Sequence, residues 1–492
     1  MDHSRAPILE ALAAYHDSGQ LPFTPPGHKQ GRGADPRVRA VLGESLFAAD
    51  TLAVSGLDDR TSSGHILLTA EQLMADAVGA DHTFFSTCGS SLSVKAAMLA
   101  AAGPHEKLLV SRDAHKSVVA GLILAGIRPM WVEPQYDAER HLAHPPSPRA
   151  YAEVLAEHPD ARGALVTSPT PYGTCADLVE IGRVCHAAGI PVIVDEAWGA
   201  HLPFHPDLPT WAMDAGVDVC VTSVHKMGSG LEQGSVFHLQ GDRIGPDALA
   251  ARADLLGTTS PSVLVYAGLD GWRRQMVEQG REVLGRALAL VGTVRDRIAA
   301  IEGLRVEGRE DFCGEGRAHD MDPLQVFVDL REAGINGYAA ADWLRARHAI
   351  NLHVADHRRI SAQFTYADDE GTAARLLDAL GDLVAHAGEL RPARAVEVPD
   401  PPRLRLEQVL LPRDAFFGRI EQVPWREAEG RIAAEMLTPY PPGIPAALPG
   451  ERLDGEVLRY LRSGVDAGMV VPDAADSEVE SVRVVVEEAH GS

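Results

Sequence analysis

PVIVDEAWGAH (191–201) and VDVCVTSVHKMGSG (217–230) decide how this chain is read. Each opens with a short run of apolar residues and ends in polar ones. Asp195 closes the first, and Ser223, His225 and Lys226 close the second, ahead of a glycine-rich turn. A continuous apolar run of strand length predicts a strand buried on both faces. Working outward, HTFFS (82–86), KLLVS (107–111), PMWVE (129–133) and GALVTSP (163–169) repeat the pattern, and residues 91–103, 117–126 and 178–189 carry helical periodicity. Alternating strand and helix units predict an α/β fold with a mainly parallel sheet, whose ligand site lies at the carboxyl ends of the strands.

The polar residues at those strand ends carry the chemistry. The amine of Lys226 can form a Schiff base with an aldehyde cofactor, and Ser223 and His225 beside it can hold a phosphate. Asp195 can accept a hydrogen bond from a protonated pyridine nitrogen and keep that ring cationic, an electron sink. Gly89, Ser90 and Ser91 stand between a strand and a helix, where backbone N–H groups and hydroxyls cradle phosphate. His115 lies just beyond another strand, placed to stack on a ring. Singly, each has an ordinary reading: a lone lysine is a solvated surface residue about nine times in ten, and an aspartate or a Gly-Ser turn often caps a helix. Falling in order within one strand-helix array, they point together to pyridoxal 5′-phosphate (PLP).

Around this array, a long helical region at 271–301 leads into a second α/β segment, about 302–390, with strands in PLQVFVDL (323–330) and RISAQFTY (359–366). RPARAVEVPDPPRLR (391–405) reads as a linker to a third unit with an acidic tail, and HPPSPR (144–149) as a surface loop. With 492 residues, 45% of them hydrophobic, the chain predicts a large enzyme subunit. It has no apolar run of the roughly 20 residues a membrane span needs and no secretory leader pattern, so a cytoplasmic location and no membrane partner are expected. A net charge of −24 argues against a nucleic-acid partner and favours approach of a cationic small molecule. The five scattered cysteines form no CxxC pair and no metal-ligand pattern, so neither disulfides nor a metal are expected.

The chain resembles the Orn/Lys/Arg decarboxylase family of fold-type-I PLP enzymes, in the short form without a wing domain, and is most like the short arginine and lysine decarboxylases. The resemblance rests on an ordered set of segments: TPPGHKQGRG (24–33), GADHTFFSTCGSS (79–91), RDAHKSV (112–118), TSPTPYGTCADL (167–178), VDEAWGAH (194–201), TSVHKMGSGLEQGS (222–235), TTSPS (258–262), RDAFFGRIEQVP (413–424) and GRIAAEMLTPYPPGIPAALPG (430–450). It implies an N-terminal arm (1–40), a PLP-binding large domain (41–290), a small α/β domain (291–392) and a C-terminal α+β domain of the family type (393–492). It also implies decarboxylation of a basic L-amino acid (arginine, lysine or ornithine) to an amine of the polyamine class and CO2. By position, Lys226 carries the cofactor, Asp195 pairs with the ring nitrogen, His115 stacks on the ring and Trp198 lines the pocket. Ser90, Ser91, Ser223 and His225 contact the phosphate, with Thr259 and Ser260 reaching the phosphate of a partner subunit in a homodimer or larger assembly.

The sequence departs from the family pattern at Cys88, where an amide side chain is usual, in LDDRTSSGHILL (57–68), at Glu232 in place of a small hydroxyl residue, and at His353 in place of an acidic one. A cationic substrate tail needs a carboxylate partner, so Glu232, His353, Glu421 and Glu435 are substrate candidates, and the two last could equally form structural ion pairs. On residues alone, another PLP reaction at Cα (transamination, elimination or oxidative deamination) and a non-catalytic regulatory paralogue stay open as alternatives.

Overall fold

The computed structural model describes residues 1–52, 65–390, 395–399, 404–440 and 443–487. Parts of the 57–68 segment, the 391–405 linker and the acidic tail lie outside these residues. The chain divides into two compact units, each built from two stretches of sequence: Met1–Ala101 with Pro191–Val283, and Ala102–Ile190 with Leu284–Ser492.

In the first unit, strands follow the order His82–Ser86, Ser235–Leu239, Val219–Ser223, Val192–Asp195. Val192–Asp195 and Val219–Ser223, buried along their whole length, run parallel, with Asp195 opposite Val221. Burying each Val or Ile side chain contributes about 1.5–3 kcal/mol, which is why these uninterrupted apolar runs settle inside. Their register is pinned by a side chain: Val192 donates its amide to Asp218 Oδ2 at 2.8 Å, and Arg243 holds the other oxygen at 3.1 Å. Ser235–Leu239, which the sequence reading does not include, pairs antiparallel with Val219–Ser223 and with His82–Ser86. The connection from Ser223 holds only the one-turn helix Val224–Met227 and a glycine-rich turn, too short for the crossover that a parallel return needs. Helix Ser90–Ala101 lays Leu92, Val94, Ala96, Ala97 and Met98 into the core.

The second unit contains the parallel strands Ala164–Thr167, Lys107–Ser111 and Arg128–Val132, with helices Lys116–Ala125, Pro148–Glu157 and Leu178–Ala187. A separate antiparallel sheet joins Arg305–Glu307, Gln325–Asp329, Arg359–Gln363 and Val354–Ala355, accompanied by helices Gly337–His348 and Glu370–Ala385. Nearer the C-terminus, Ile420–Pro424 pairs with Ser481–Val485, and helix Gly455–Ala467 lies between them in sequence. The helical region expected at 271–301 is one helix, Val263–Ala299. Among the described residues no helix is long and apolar enough to cross a membrane.

The HPPSPR segment is not the surface loop its prolines and serine suggest. His144 ends a short hairpin strand, is fully buried and tilts against Phe312, and Pro145 and Pro146 are buried after it. The apolar rings pack inward, and Ser147 caps helix Pro148–Glu157 through the amide of Ala150.

Asp113, just past strand Lys107–Ser111, is buried; Ser111 donates to its Oδ1, and Oδ2 has no hydrogen-bond partner. Burial pushes its carboxyl up to about 7, against its own backbone amide and Arg112. Because the folded value lies above the unfolded one, Asp113 costs nothing below about pH 4, where it is protonated in both states. The cost grows as pH rises toward 7, to an upper bound of about 4 kcal/mol. Asp113→Asn should therefore match the wild type in thermal stability near pH 4 and exceed it above pH 7, as melting curves across that range will show.

Candidate active site

Lys226 lies on the one-turn helix Val224–Met227 that continues strand Val219–Ser223. The turn after it must pass close to a tryptophan: a Cβ on Gly228 would stand 2.7 Å from both Trp272 Cε2 and the Val224 carbonyl. Glycine there lets the chain reverse and leaves the lysine half-buried at the strand end. Its Nζ sits 4.0 Å from the centroid of the Trp198 ring, a cation–π distance when the amine is charged. Burial holds the Lys226 amine below its ordinary range, with Asp195 and then Glu232 drawing it back up.

Asp195 ends the neighbouring strand and is 4% exposed. Burial pushes its carboxyl up, while Lys226 and the Ala197 amide pull it down. Its Oδ1 has no hydrogen-bond partner. A buried acceptor left in that state costs about 1–3 kcal/mol, and the N–H of a protonated pyridine is the group that would satisfy it.

The phosphate side is assembled around Ser223, whose Oγ donates to Ser90 Oγ at 2.7 Å. Ser90 opens helix Ser90–Ala101, and Gly89 before it takes φ +74° while its amide donates to the Gln233 carbonyl at 2.9 Å. This brings a helix N-terminus and two hydroxyls together, the donor set a phosphate needs. His225 donates from Nδ1 to the Gly234 carbonyl at 3.0 Å, which fixes its ring, and Nε2 lies 3.9 Å from Glu232 Oε2. The residues present fit PLP: an amine, a buried carboxylate with one oxygen lacking a donor, and a phosphate cradle in one unit.

Ser91 is exposed on the first turn of its helix. Thr259 and Ser260 are exposed between helices Pro246–Leu256 and Val263–Ala299, and Thr259 shares with Cys88 and Tyr266 the lining of a cavity of about 180 Å3. His115, in the second unit, caps helix Lys116–Ala125, and its Nδ1 accepts from the Ser117 amide, so the proton of the neutral ring is on Nε2. His353 donates from Nε2 to the Pro171 carbonyl at 3.0 Å. Glu232 is exposed in the turn after Lys226. Glu421 takes a hydrogen bond from Arg431 at 2.6 Å, and both oxygens of the buried Glu435 accept backbone amides, from Ala475 at 2.6 Å and Arg483 at 2.5 Å. Those contacts give the two glutamates structural work. Sequence reasoning passes over Glu196, buried directly after Asp195; its only signal is a charged residue inside a strand-end motif.

A family profile described as "Orn/Lys/Arg decarboxylase, major domain" matches residues 6–313, and one described as "Orn/Lys/Arg decarboxylase, C-terminal domain" matches residues 403–486. The chain belongs to the Orn/Lys/Arg decarboxylase family. It is 35% identical to the arginine decarboxylase of Bacillus subtilis over 99% of both chains. It is also 35% identical to the arginine decarboxylase of Halalkalibacterium halodurans over 98% of both. Its fold matches the crystal structure of the Francisella novicida lysine decarboxylase with a TM-score of 0.84 at 19% identity, covering 98% of this chain and 81% of that one. The α/β architecture is that of the fold-type-I PLP enzymes, and PLP is the cofactor of the family.

Borohydride treatment of PLP-saturated protein followed by peptide mapping is expected to place the label on Lys226. The Lys226→Ala protein should give no labelled peptide; a label elsewhere would show that another amine carries the cofactor.

Proposed function

We propose that this chain is a PLP-dependent decarboxylase acting on a basic L-amino acid, with L-arginine as the preferred substrate, agmatine and CO2 as products, and a role in polyamine formation. The observation that carries the reading is the buried Asp195 oxygen without a donor, in the unit where Lys226 stands against Trp198. The choice of arginine is supported by near-full-length relatives named arginine decarboxylases.

When bound, PLP supplies an aldehyde that links to amines and a cationic ring that accepts the electron pair left at Cα when CO2 departs. The chain's residues create the conditions for this. Asp195, as a buried carboxylate, holds the proton on the ring nitrogen, and the low dielectric around it makes that charge-assisted bond strong. Lys226, its amine kept below the usual range by burial, has a larger neutral fraction with which it would hold the cofactor. Ser90, Ser223 and the Gly89 turn would hold the phosphate, and Trp198 covers the lysine with an apolar face. Glu232 is the carboxylate of the lysine turn available to a cationic tail, and the net charge of −24 draws such a substrate in.

A homodimer with active sites at the subunit interface completes the proposal. It is supported by large apolar side chains in the first unit that face water in the single chain: Phe23 at 89% exposure, Val41 at 82% and Leu255 at 72%, with Thr259 and Ser260 close in sequence to the last. The buried thiols Cys175, Cys185 and Cys220, none in a disulfide, suit the reducing cytoplasm.

A panel of L-amino acids incubated with protein and PLP, read by mass spectrometry, should give equimolar CO2 and agmatine from arginine; a keto acid as the main product would sink the decarboxylase reading. Asp195→Ala should lower kcat by about 10²–10³-fold while bound cofactor falls far less, as absorbance and turnover measured side by side will show. Light scattering should find at least two chains per particle.

A further inference from the structure

The turn that carries Asp195 and Trp198 is held by a residue to which no role has yet been given. Glu196 is 1% exposed, and its Oε2 accepts from the Cys220 thiol at 3.0 Å and from the Ala212 amide at 3.3 Å. Cys220 sits on strand Val219–Ser223, the strand that leads to Lys226. Ala212 follows Trp211, whose indole N–H is fixed to the Val78 carbonyl at 2.9 Å, so the clamp is anchored to helix Ile66–Val78. Backbone bonds run alongside: the Glu196 amide donates to the Val221 carbonyl at 2.9 Å, and the Ser223 amide to the Ala197 carbonyl at 3.4 Å. On its other side the Glu196 chain lies under Gly199, where a Cβ would come within 2.4 Å of Glu196 Cγ and 2.9 Å of Leu202 Cδ1. Gly199 in turn donates its amide to the Glu196 carbonyl at 2.8 Å, closing the turn.

We propose that Glu196 is a positioning residue that locks the Asp195–Trp198 turn to the strand bearing Lys226 and so sets the spacing between ring-nitrogen partner and cofactor lysine. The proposal rests on the PLP reading of the site and extends it to the support beneath. Burial holds the Glu196 carboxyl well above its ordinary range, with the thiol and the Ala212 amide pulling back. Burial and Glu196 together push the Cys220 thiol up, so it stays an S–H donor. Glu196 thus acts by shape and by the hydrogen bonds it accepts from Cys220 and Ala212.

The test compares Glu196→Ala, Glu196→Gln and Gly199→Ala as PLP-loaded proteins. The readouts are kcat, KM, the pH midpoint of the cofactor absorbance and the melting temperature. Gly199→Ala disturbs the clamp by crowding, with every charge left in place. Glu196→Ala and Gly199→Ala should each lower kcat about 10- to 100-fold with little change in KM and should shift the absorbance midpoint. Glu196→Gln, neutral and of the same shape, should recover most of both. Wild-type kcat and midpoint in Gly199→Ala, with or without a fall in melting temperature, would overturn the proposal, as would a Gln variant as impaired as the Ala one. If Glu196→Ala does not fold, Gly199→Ala and Glu196→Gln decide. Because the absorbance midpoint needs no substrate, it separates failure of the clamp from failure of the decarboxylase reading.

Discussion

The 2.8 Å hydrogen bond from the Val192 amide to Asp218 locks two parallel strands in one register, and the placement of Asp195 against Lys226 in the first unit depends on it. Asp195 ends one of these strands and Lys226 follows the other. A slip of one residue would turn every side chain to the opposite face, moving the carboxylate away from the lysine while leaving the hydrophobic content unchanged. Asp218 is itself buried and held by Arg243, so the constraint is stiff. The short antiparallel return through Ser235–Leu239 then brings Gln233 back beside Gly89 and builds the phosphate cradle from both ends of the unit.

Burial is the common electrostatic cause within that arrangement. It disfavours charge on Asp195, on Lys226 and on Glu196 alike. Asp195 and Lys226 offset part of the penalty for each other, and a cationic ring would offset the rest for Asp195. Glu196 has no cationic partner among its named contacts and is stabilised by a thiol and an amide. Adjacent carboxyls in one motif therefore meet different partners, one facing an amine and one held by a thiol and an amide.

In the second unit, buried ionic contacts tie distant parts of the chain. Arg112, three residues before the helix cap His115, reaches Glu451 at 3.0 Å and the Pro445 carbonyl at 2.9 Å. Arg359, itself buried, pairs with Glu307 and Asp356 in the antiparallel sheet. Removing one member of such a pair leaves a buried charge uncompensated, at a cost of about 3–5 kcal/mol. The same economy explains Glu435, whose oxygens accept the amides of residues 40 and 48 positions away and thereby hold the C-terminal segment in place.

The sequence by itself determined the chemical inventory and its order: that several apolar runs are strands of an α/β fold, that Asp195, His115, Lys226 and the Gly89–Ser91 turn fall at or just past strand ends, and that this order matches a PLP family. Those features are local, since apolar periodicity and strand-end polarity are properties of neighbouring residues. Only the tertiary structure decided that Ser235–Leu239 returns antiparallel, that His144 is buried, that Glu421 and Glu435 hold structural contacts, and that Glu196 clamps the Asp195 turn. Each of these depends on partners far along the chain, Cys220 for Glu196 and Arg483 for Glu435. A residue's type shows what it can bond, but the packing of the whole chain selects which partner arrives.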